Sequence, residues 1–120
     1  MRLGTDIVQI ARIEAAVARH GDRFIDRFLS REERIRLTSR PESLAGYWAA
    51  KEAIAKALGC GIGRELGWHD IVLDKDARGA PSFRLRSEAA QRFALRSGSL
   101  SISHDGGFAI AVVAIDLSRD

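Results

Sequence analysis

The sequence predicts a single small α+β domain in which a largely antiparallel sheet packs against helices. Three observations lead to this prediction. The 120 residues suffice for one domain with a modest core, and 46% of them are hydrophobic, as in ordinary globular proteins. Strand patterns occur at the start of the chain and in its second half, and helical patterns occupy most of the first half. This partial segregation favours an α+β fold over a doubly wound parallel sheet.

The first third of the chain predicts a strand followed by two helices. Polar and apolar residues alternate at about 2–8, as in a half-buried strand. A helix is predicted at about 10–19, with apolar residues at helical spacing on its inner face. Gly21-Asp22 ends this helix, and the apolar residues clustered between 24 and 29 predict a short second helix.

Two further helices have recognisable ends. Ser30 and Glu33 have the spacing of a capping box, in which each side chain accepts a hydrogen bond from the backbone of the other residue. Pro41 suits the first position of a long helix, and Gly59 suits its end. One stripe of this long helix is apolar and can face a core; it consists of Tyr47, Ala50, Ile54 and Ala57.

The second half of the chain predicts two hairpins separated by a helix. A glycine-rich stretch at 59–67 comes first, but it follows a helix and lacks P-loop spacing, which disfavours a Rossmann or P-loop assignment. The turns of the hairpins lie at 76–81 and 105–107. The predicted elements are, in order, strands at 68–73 and 82–85, a helix that Ser87 caps and that ends near Gly98, and strands at 100–103 and 108–117.

The long helix carries the most informative pattern of the chain. At 3.6 residues per turn, Trp48, Glu52 and Lys56 fall on one stripe. A carboxylate and an ammonium are thus held beside a large aromatic side chain on a rigid element. Two interpretations are open at this point: an ordinary surface ion pair worth about 0.2–0.5 kcal/mol, or part of a functional site.

A second carboxylate, Asp6, lies inside the predicted first strand, where aspartate is disfavoured and costly to bury unpaired. A salt bridge, a helix cap or a bound cation would each account for it. If Asp6 and Glu52 converge, they form a pair of hard oxygen ligands suited to Mg²⁺, which usually takes one or two carboxylates, waters and substrate phosphate oxygens. With a nearby lysine, this is the minimum for handling a phosphorylated substrate.

Six motifs occur in a fixed order along nearly the whole chain. They are Gly4-Thr5-Asp6-Ile7-Val8, Ala11-Arg12-Ile13-Glu14, Phe28-Leu29-Ser30-x-x-Glu33, Trp48-x-x-Lys51-Glu52-Ala53-x-x-Lys56-Ala57-x-Gly59, Gly59-x-Gly61-Ile62-Gly63 and Ser101-Ile102-Ser103-His104. In this order they resemble the bacterial holo-[acyl-carrier-protein] synthases, the small homotrimeric group of the phosphopantetheinyl transferases. The resemblance implies one synthase-like domain over 1–120 with the fold of that family.

The resemblance implies a Mg²⁺-dependent transferase of fatty-acid biosynthesis. Such an enzyme moves 4′-phosphopantetheine from coenzyme A to a serine of an apo acyl carrier protein and releases adenosine 3′,5′-bisphosphate. By this resemblance Asp6 and Glu52 hold the metal, and Glu52 and Lys56 are catalytic. The residues implied in contacts with coenzyme A are Lys51, Lys56, Gly59, Ser101, Ser103 and His104. For the general base, Glu52 through a water, Lys51 and a hydroxide on the metal stay open.

The chain departs from the family pattern just before the lysine and glutamate of the long helix. Tyr47-Trp48 stands where family members commonly have an arginine followed by an aromatic residue. That arginine helps to hold coenzyme phosphates, so another residue, such as Arg64, would supply the contact here.

Basic residues suggest an acidic partner. The chain has 19 Lys and Arg against 16 Asp and Glu, and arginine suits phosphate and carboxylate partners. Arg12, Arg19 and Arg23 form either a solvated basic face or a docking surface, and the resemblance favours docking of an acidic carrier protein. The alternative is a non-catalytic basic module that binds such a carrier or nucleic acid. Nucleic acid is not expected, because no recognition motif is present and the two carboxylates would stay unexplained.

The remaining expectations concern compartment and assembly. A single cysteine, Cys60, excludes an internal disulfide and fits a reducing cytosol, and no signal peptide or membrane span is recognisable, so a cytoplasmic protein without a membrane partner is expected. The last strand is apolar on both faces between 108 and 113. Either helices cover its outer face or identical subunits do, and we expect a homotrimer that shares its coenzyme pocket between subunits.

Overall fold

A three-stranded antiparallel sheet with a long helix lying across one face forms the centre of the molecule. A computed structural model describes residues 1–120. In chain order its elements are β1 (Arg2–Gln9), α1 (Ile10–His20), α2 (Asp22–Phe28), α3 (Arg31–Arg36), α4 (Pro41–Ala57), a 3₁₀ turn (Trp68–Asp70), β2 (Ile71–Lys75), β3 (Pro81–Leu85), α5 (Ser87–Phe93), β4 (Leu95–Asp105) and β5 (Phe108–Leu117). The predicted α+β fold is thereby confirmed.

The main sheet has β5 at its centre, with β1 on one edge and β4 on the other. Both pairings are antiparallel, and in register Asp6 lies opposite Ala111, which lies opposite Ile102. Residues opposite one another share a face of the sheet, so these three point toward α4. The β2–β3 hairpin forms a separate two-stranded antiparallel sheet.

Small residues let α4 approach β1 very closely. A Cβ atom placed on Gly4 would clash with the carbonyl oxygen of Ala53 and would lie 2.9 Å from the backbone nitrogen of Ala57. Only glycine can therefore occupy this position without moving the helix away from the strand. The close approach brings the last turns of α4 next to Asp6, two residues further along the same face of β1.

The inward stripe of α4 is buried as predicted. Tyr47, Ala50, Ile54 and Ala57 are between 0 and 9% exposed, and alanines fill most of the remaining inner positions. Because alanine adds little bulk, the helix axis can lie close to the sheet. Dense packing of this kind leaves α4 little freedom to shift along or away from the strands.

One ion pair lies entirely within the core. Lys51 on α4 and Glu33 on α3 are both 0% exposed, and the Lys51 Nζ donates to Glu33 Oε1 and to the Trp68 carbonyl, both at 3.0 Å. The other carboxylate oxygen accepts from the Leu73 N–H at 2.8 Å. Glu33 also closes the predicted capping box with Ser30, at 2.8 and 3.3 Å. This single carboxylate therefore joins α3, α4 and β2.

Two predicted boundaries are wrong, and both errors have a local cause. Residues 68–70 form a 3₁₀ turn, because the Asp70 carboxylate accepts from the Gly67 N–H at 2.8 Å and closes a turn where a strand was predicted. The helix α5 ends at Phe93, where Ala94 takes a left-handed conformation with φ 56°. Gly98 lies inside β4, where any side chain would clash with the Phe83 ring.

The ends of α4 and α5 differ in how closely they match the predictions. Ser87 is the first residue of α5, and Arg86 takes the cap position predicted for the serine. Gly59 follows the end of α4 with φ 85°, the left-handed conformation that suits glycine after a helix. No helix is both long and apolar enough to cross a membrane.

The buried ion pair generates a stability prediction. Lys51→Met should lower the free energy of unfolding by about 3–5 kcal/mol, because it leaves the Glu33 carboxylate buried without its counter-ion. Urea denaturation measures this change, and Lys75→Met is the matched control, since Lys75 is an exposed lysine of the β2–β3 hairpin. A loss for Lys51→Met no larger than that of the control would contradict the assigned role.

Candidate active site

Asp6 and Lys56 meet where β1 lies against α4. The Asp6 side chain is only 17% exposed, and its Oδ1 accepts a hydrogen bond from the Lys56 Nζ at 3.0 Å. The same ammonium donates to the Thr5 carbonyl at 3.1 Å. The Lys56 side chain is about half exposed, and its four-carbon stem runs along the surface from α4 to β1, where the ammonium makes these two contacts.

Glu52 lies one turn before Lys56 on the same stripe and is half-buried. Burial raises the pKa of Glu52, and the nearby charge of Asp6 raises it further, while Lys56 and Arg12 act in the opposite direction. The structure therefore brings the two predicted carboxylates close enough to repel one another. A raised pKa means that the fold holds a proton on Glu52 more tightly than an unfolded chain would.

The donor set at this position consists of two carboxylates. No group of three or more His, Cys, Asp or Glu side chains is arranged to hold a metal ion. Two mutually repelling carboxylates suit a divalent cation that keeps waters and takes its remaining oxygens from a substrate, as Mg²⁺ does. The residues present therefore fit the Mg²⁺ that the resemblance implies, and Asp6 and Glu52 are the side chains that would hold it.

Lys51 does not share this surface. It is fully buried against Glu33, and burial lowers its pKa while the Glu33 carboxylate opposes that change. An ammonium enclosed by protein cannot reach a bound coenzyme without breaking the core. The predicted coenzyme contact of Lys51 is therefore replaced by a structural role, and the same burial argues against Lys51 as a general base.

Ser101, Ser103 and His104 lie far from Asp6 within one chain. They belong to β4, the opposite edge of the main sheet, about 10 Å away at two strand spacings. Ser101 and Ser103 are also on the other face, because they pair with Val112 and Ile110, whose side chains point away from α4. One chain thus carries the predicted residues on two separate edges.

A cleft of about 220 Å³ opens beside His104, and sequence reasoning missed it. Its walls come from three elements that are far apart in the sequence: the start of α4, the β2–β3 hairpin and β4. Residues lining it include Thr38, Glu42, Tyr47, Gly79, Pro81 and His104. Only the His104 motif pointed to this region, and nothing in the sequence connected it with Gly79 and Pro81.

Tyr47 forms part of the wall of this cleft. Its side chain is 9% exposed, and burial raises the pKa of the phenol. Thr38 and Ser43 oppose this rise in pKa. A phenol carries no positive charge, so this position supplies no cation. Arg64, the predicted substitute, is exposed on the glycine-rich loop and does not line the cleft.

A larger groove, about 680 Å³, lies between α2, α3 and the 3₁₀ turn. Its Arg34 is already held by Asp22 and Asp26, at 2.9 and 2.7 Å. The groove contains neither Asp6 nor Glu52, and its Arg34 is already paired, so it does not belong to the candidate active site.

The three predicted docking arginines are all exposed. Arg12 and Arg19 lie on α1, and Arg23 lies on α2. Arg12 is near enough to Glu52 to lower its pKa, so the basic surface adjoins the carboxylate pair. An acidic partner that docks on α1 and α2 would thus be brought to the edge of the site.

Aromatic packing holds these helices in place. The Trp48 ring lies 4.4 Å from that of Trp68, 5.4 Å from that of Phe24 and 5.3 Å from that of Phe28, measured between centroids. Since Trp48 shares the stripe of Glu52, this cluster fixes α2 relative to the carboxylate pair. Such aromatic contacts add to the stabilisation from burial alone.

Comparisons with known proteins agree across the chain. The family model of the 4′-phosphopantetheinyl transferase superfamily matches residues 2–113. The holo-[acyl-carrier-protein] synthase of Sulfurovum sp. is 61% identical over 97% of both chains, and that of Wolinella succinogenes is 55% identical over 98% of both.

Solved structures give the same result. The crystal structure of Helicobacter pylori holo-[acyl-carrier-protein] synthase in complex with coenzyme A is 47% identical, with a TM-score of 0.91 over 95% of this chain and 99% of that chain. The enzyme from Neisseria meningitidis is 33% identical, with a TM-score of 0.86 over 96% and 97%.

Proposed function

The chain belongs to the 4′-phosphopantetheinyl transferase superfamily, and we propose that it is a holo-[acyl-carrier-protein] synthase forming one domain over 1–120. It transfers 4′-phosphopantetheine from coenzyme A to a serine of an apo acyl carrier protein in fatty-acid biosynthesis and releases adenosine 3′,5′-bisphosphate. The observation that carries this proposal is the meeting of Asp6, Glu52 and Lys56 in a fold shared with a synthase bound to coenzyme A.

We assign the phosphate chemistry to the residues around β1 and α4. Asp6 and Glu52 would hold Mg²⁺, which when bound neutralises charge on the coenzyme pyrophosphate. The carrier serine oxygen attacks the phosphorus on the pantetheine side, and the bond to the leaving phosphate breaks. Lys56 is exposed and offsets the negative charge that grows on that leaving group. Of the two side chains considered as the acceptor of the serine proton, Glu52 acting through a water is the one that solvent reaches, since Lys51 is enclosed.

We place the rest of the coenzyme on the other edge of a neighbouring subunit. His104 and the cleft beside it lie on β4, and Asp6 lies on β1, so one chain presents two half-sites on opposite edges. Ser101 and Ser103 lie on the outer face of the same strand, on either side of Ile102, which lines the cleft, and Gly59 follows the helix that carries Lys56. Joining the β1 edge of one subunit to the β4 edge of the next would complete the site.

The outer face of the main sheet supports a homotrimer. Leu3, Ile7, Phe108, Ile110 and Val112 lie together on it and are 38 to 70% exposed in a single chain. Helix α4 covers only the inner face, so the helices do not bury this apolar surface. Three identical faces packed around a symmetry axis would bury it and would also bring the two edges of neighbouring chains together.

We assign the carrier protein to the surface formed by Arg12, Arg19 and Arg23. The three side chains are exposed beside the carboxylate pair, and an acidic partner complements their charge. A non-catalytic carrier-binding module is the competing function, and Mg²⁺-dependent turnover separates the two.

The free thiol of Cys60 suits the reducing cytoplasm, where we place the reaction.

The function is tested by mass spectrometry of an apo carrier protein incubated with coenzyme A, Mg²⁺ and this protein. The carrier should gain the mass of phosphopantetheine.

Asp6→Asn should slow transfer about 100-fold or more, because it removes a ligand of the charge-neutralising metal. Glu88→Gln, on the exposed start of α5, is the matched control. Full activity of Asp6→Asn with normal circular dichroism would refute the metal assignment.

Docking is tested most cleanly at Arg19, which lies farther along α1 than Arg12, the arginine next to Glu52. Arg19→Glu should raise the carrier KM several-fold and leave the coenzyme A KM nearly unchanged, because the reversed charge repels an acidic surface. The defect should shrink at high salt. Arg31→Glu, which makes the same charge change on α3, serves as the control. Equal carrier KM values for the two variants would place docking elsewhere.

Assembly is tested by introducing a charge on the outer face. Val112→Glu should dissociate the trimer and reduce activity, because a carboxylate would be left unpaired between apolar faces. Light scattering at micromolar concentration measures the mass. Ile35→Glu is the control, since Ile35 is 77% exposed but lies on α3, away from the sheet. A fully active wild-type protein with the mass of a monomer would rule out the trimer.

A further inference from the structure

The contact between Lys56 and Asp6 places an internal cation on one of the two carboxylates. The Lys56 Nζ lies 3.0 Å from Asp6 Oδ1, the spacing of a charge-assisted hydrogen bond. This is the carboxylate proposed to hold a divalent cation, so the ammonium and the metal are directed to the same carboxylate. The inference below rests on the proposed function only through that metal assignment.

Lys56 and a divalent cation cannot use Asp6 equally well at the same time. Two positive centres bound to one small carboxylate repel one another, and Asp6 is too enclosed, at 17% exposure, for water to screen them fully. The second carboxylate does not relieve this conflict, because Glu52 lies among the same charges, with Arg12 also nearby. The metal and the ammonium therefore compete electrostatically for Asp6.

The lysine is the group that can move. Its side chain is 53% exposed and ends a flexible four-carbon stem, whereas Asp6 lies in a strand packed directly against α4. Its second contact is a single backbone carbonyl, that of Thr5 on the edge strand β1. Release from Asp6 therefore requires a rotamer change at the surface and no movement of the fold.

We propose that Lys56 is an internal competitor of the divalent cation for Asp6, so that metal binding displaces its ammonium and makes it available to the substrate phosphate. The cation that fills the carboxylate pair thereby also releases the second positive charge of the site. Lys56 consequently weakens metal binding to the free protein, although it assists the transfer reaction.

The test measures Mn²⁺ binding to the free protein by electron paramagnetic resonance, without coenzyme or carrier. Lys56→Met should bind Mn²⁺ about two- to fivefold more tightly than wild type, the range that an ion pair near the surface is worth. Lys56→Arg should not bind more tightly than wild type, because its charge is kept. Arg31→Met removes a positive charge from the exposed start of α3, away from the carboxylate pair, and should leave the affinity unchanged.

A double-mutant cycle ties the effect to Asp6. In an Asp6→Asn background, the change from Lys56 to Met should tighten Mn²⁺ binding less than it does in the wild-type background, since the shared carboxylate is gone and only the effect of the lysine charge on Glu52 is left. Should Lys56→Met fail to fold, Lys56→Gln takes its place. An affinity of Lys56→Met equal to or weaker than that of wild type would overturn the proposal.

Lysine side-chain ¹⁵N spectra give a direct structural readout, because the chain has only three lysines, Lys51, Lys56 and Lys75. Mg²⁺ should shift the Lys56 signal and leave that of buried Lys51 in place. A stationary Lys56 signal at saturating Mg²⁺ would contradict displacement. Metal binding with this signature but without phosphopantetheine transfer would contradict only the proposed function.

Discussion

The buried pair of Lys51 and Glu33 is the constraint on which the site depends. On a helix, successive side chains are turned by about 100° from one another, so the direction of one residue sets the direction of its neighbours. Once Lys51 is fixed toward Glu33 and the Trp68 carbonyl, Glu52 must emerge on the side of β1, and Lys56 must follow one turn later. The core ion pair, together with the buried apolar stripe, thus fixes the rotation of α4 and with it the directions of Glu52 and Lys56.

The distance between α4 and the sheet has a separate origin. Gly4 lets the backbone of β1 touch that of α4, at the level of Ala53 and Ala57. The buried ion pair sets the rotation of α4 about its own axis, and the absence of a side chain at Gly4 sets the distance between α4 and β1. Together these two determine where Asp6 and Glu52 meet. Both determinants are rigid, which suits a site that acts by positioning charge.

Sequence patterns predicted those parts of the structure that depend on neighbours along the chain. The capping box of Ser30, the inward stripe of α4 and the alternation of β1 are local, and all three were predicted correctly. The role of Lys51 could not be read in this way, because its partner lies 18 positions away and a lysine on a helix is ordinarily exposed. The predicted end of a helix near Gly98 was wrong because the reason for this glycine is also distant in the sequence. The Phe83 ring, which leaves no room for a side chain at Gly98, lies on another strand.

The division of the proposed site between the two edges of the sheet has a genetic consequence. A chain with a substitution at Asp6 keeps an intact half-site on β4, and a chain with a substitution at His104 keeps an intact half-site on β1. In any cyclic trimer that contains both kinds of chain, one of the three interfaces brings an intact β1 half-site against an intact β4 half-site. Two inactive alleles of this gene would therefore complement one another when expressed together, although neither supports the reaction alone.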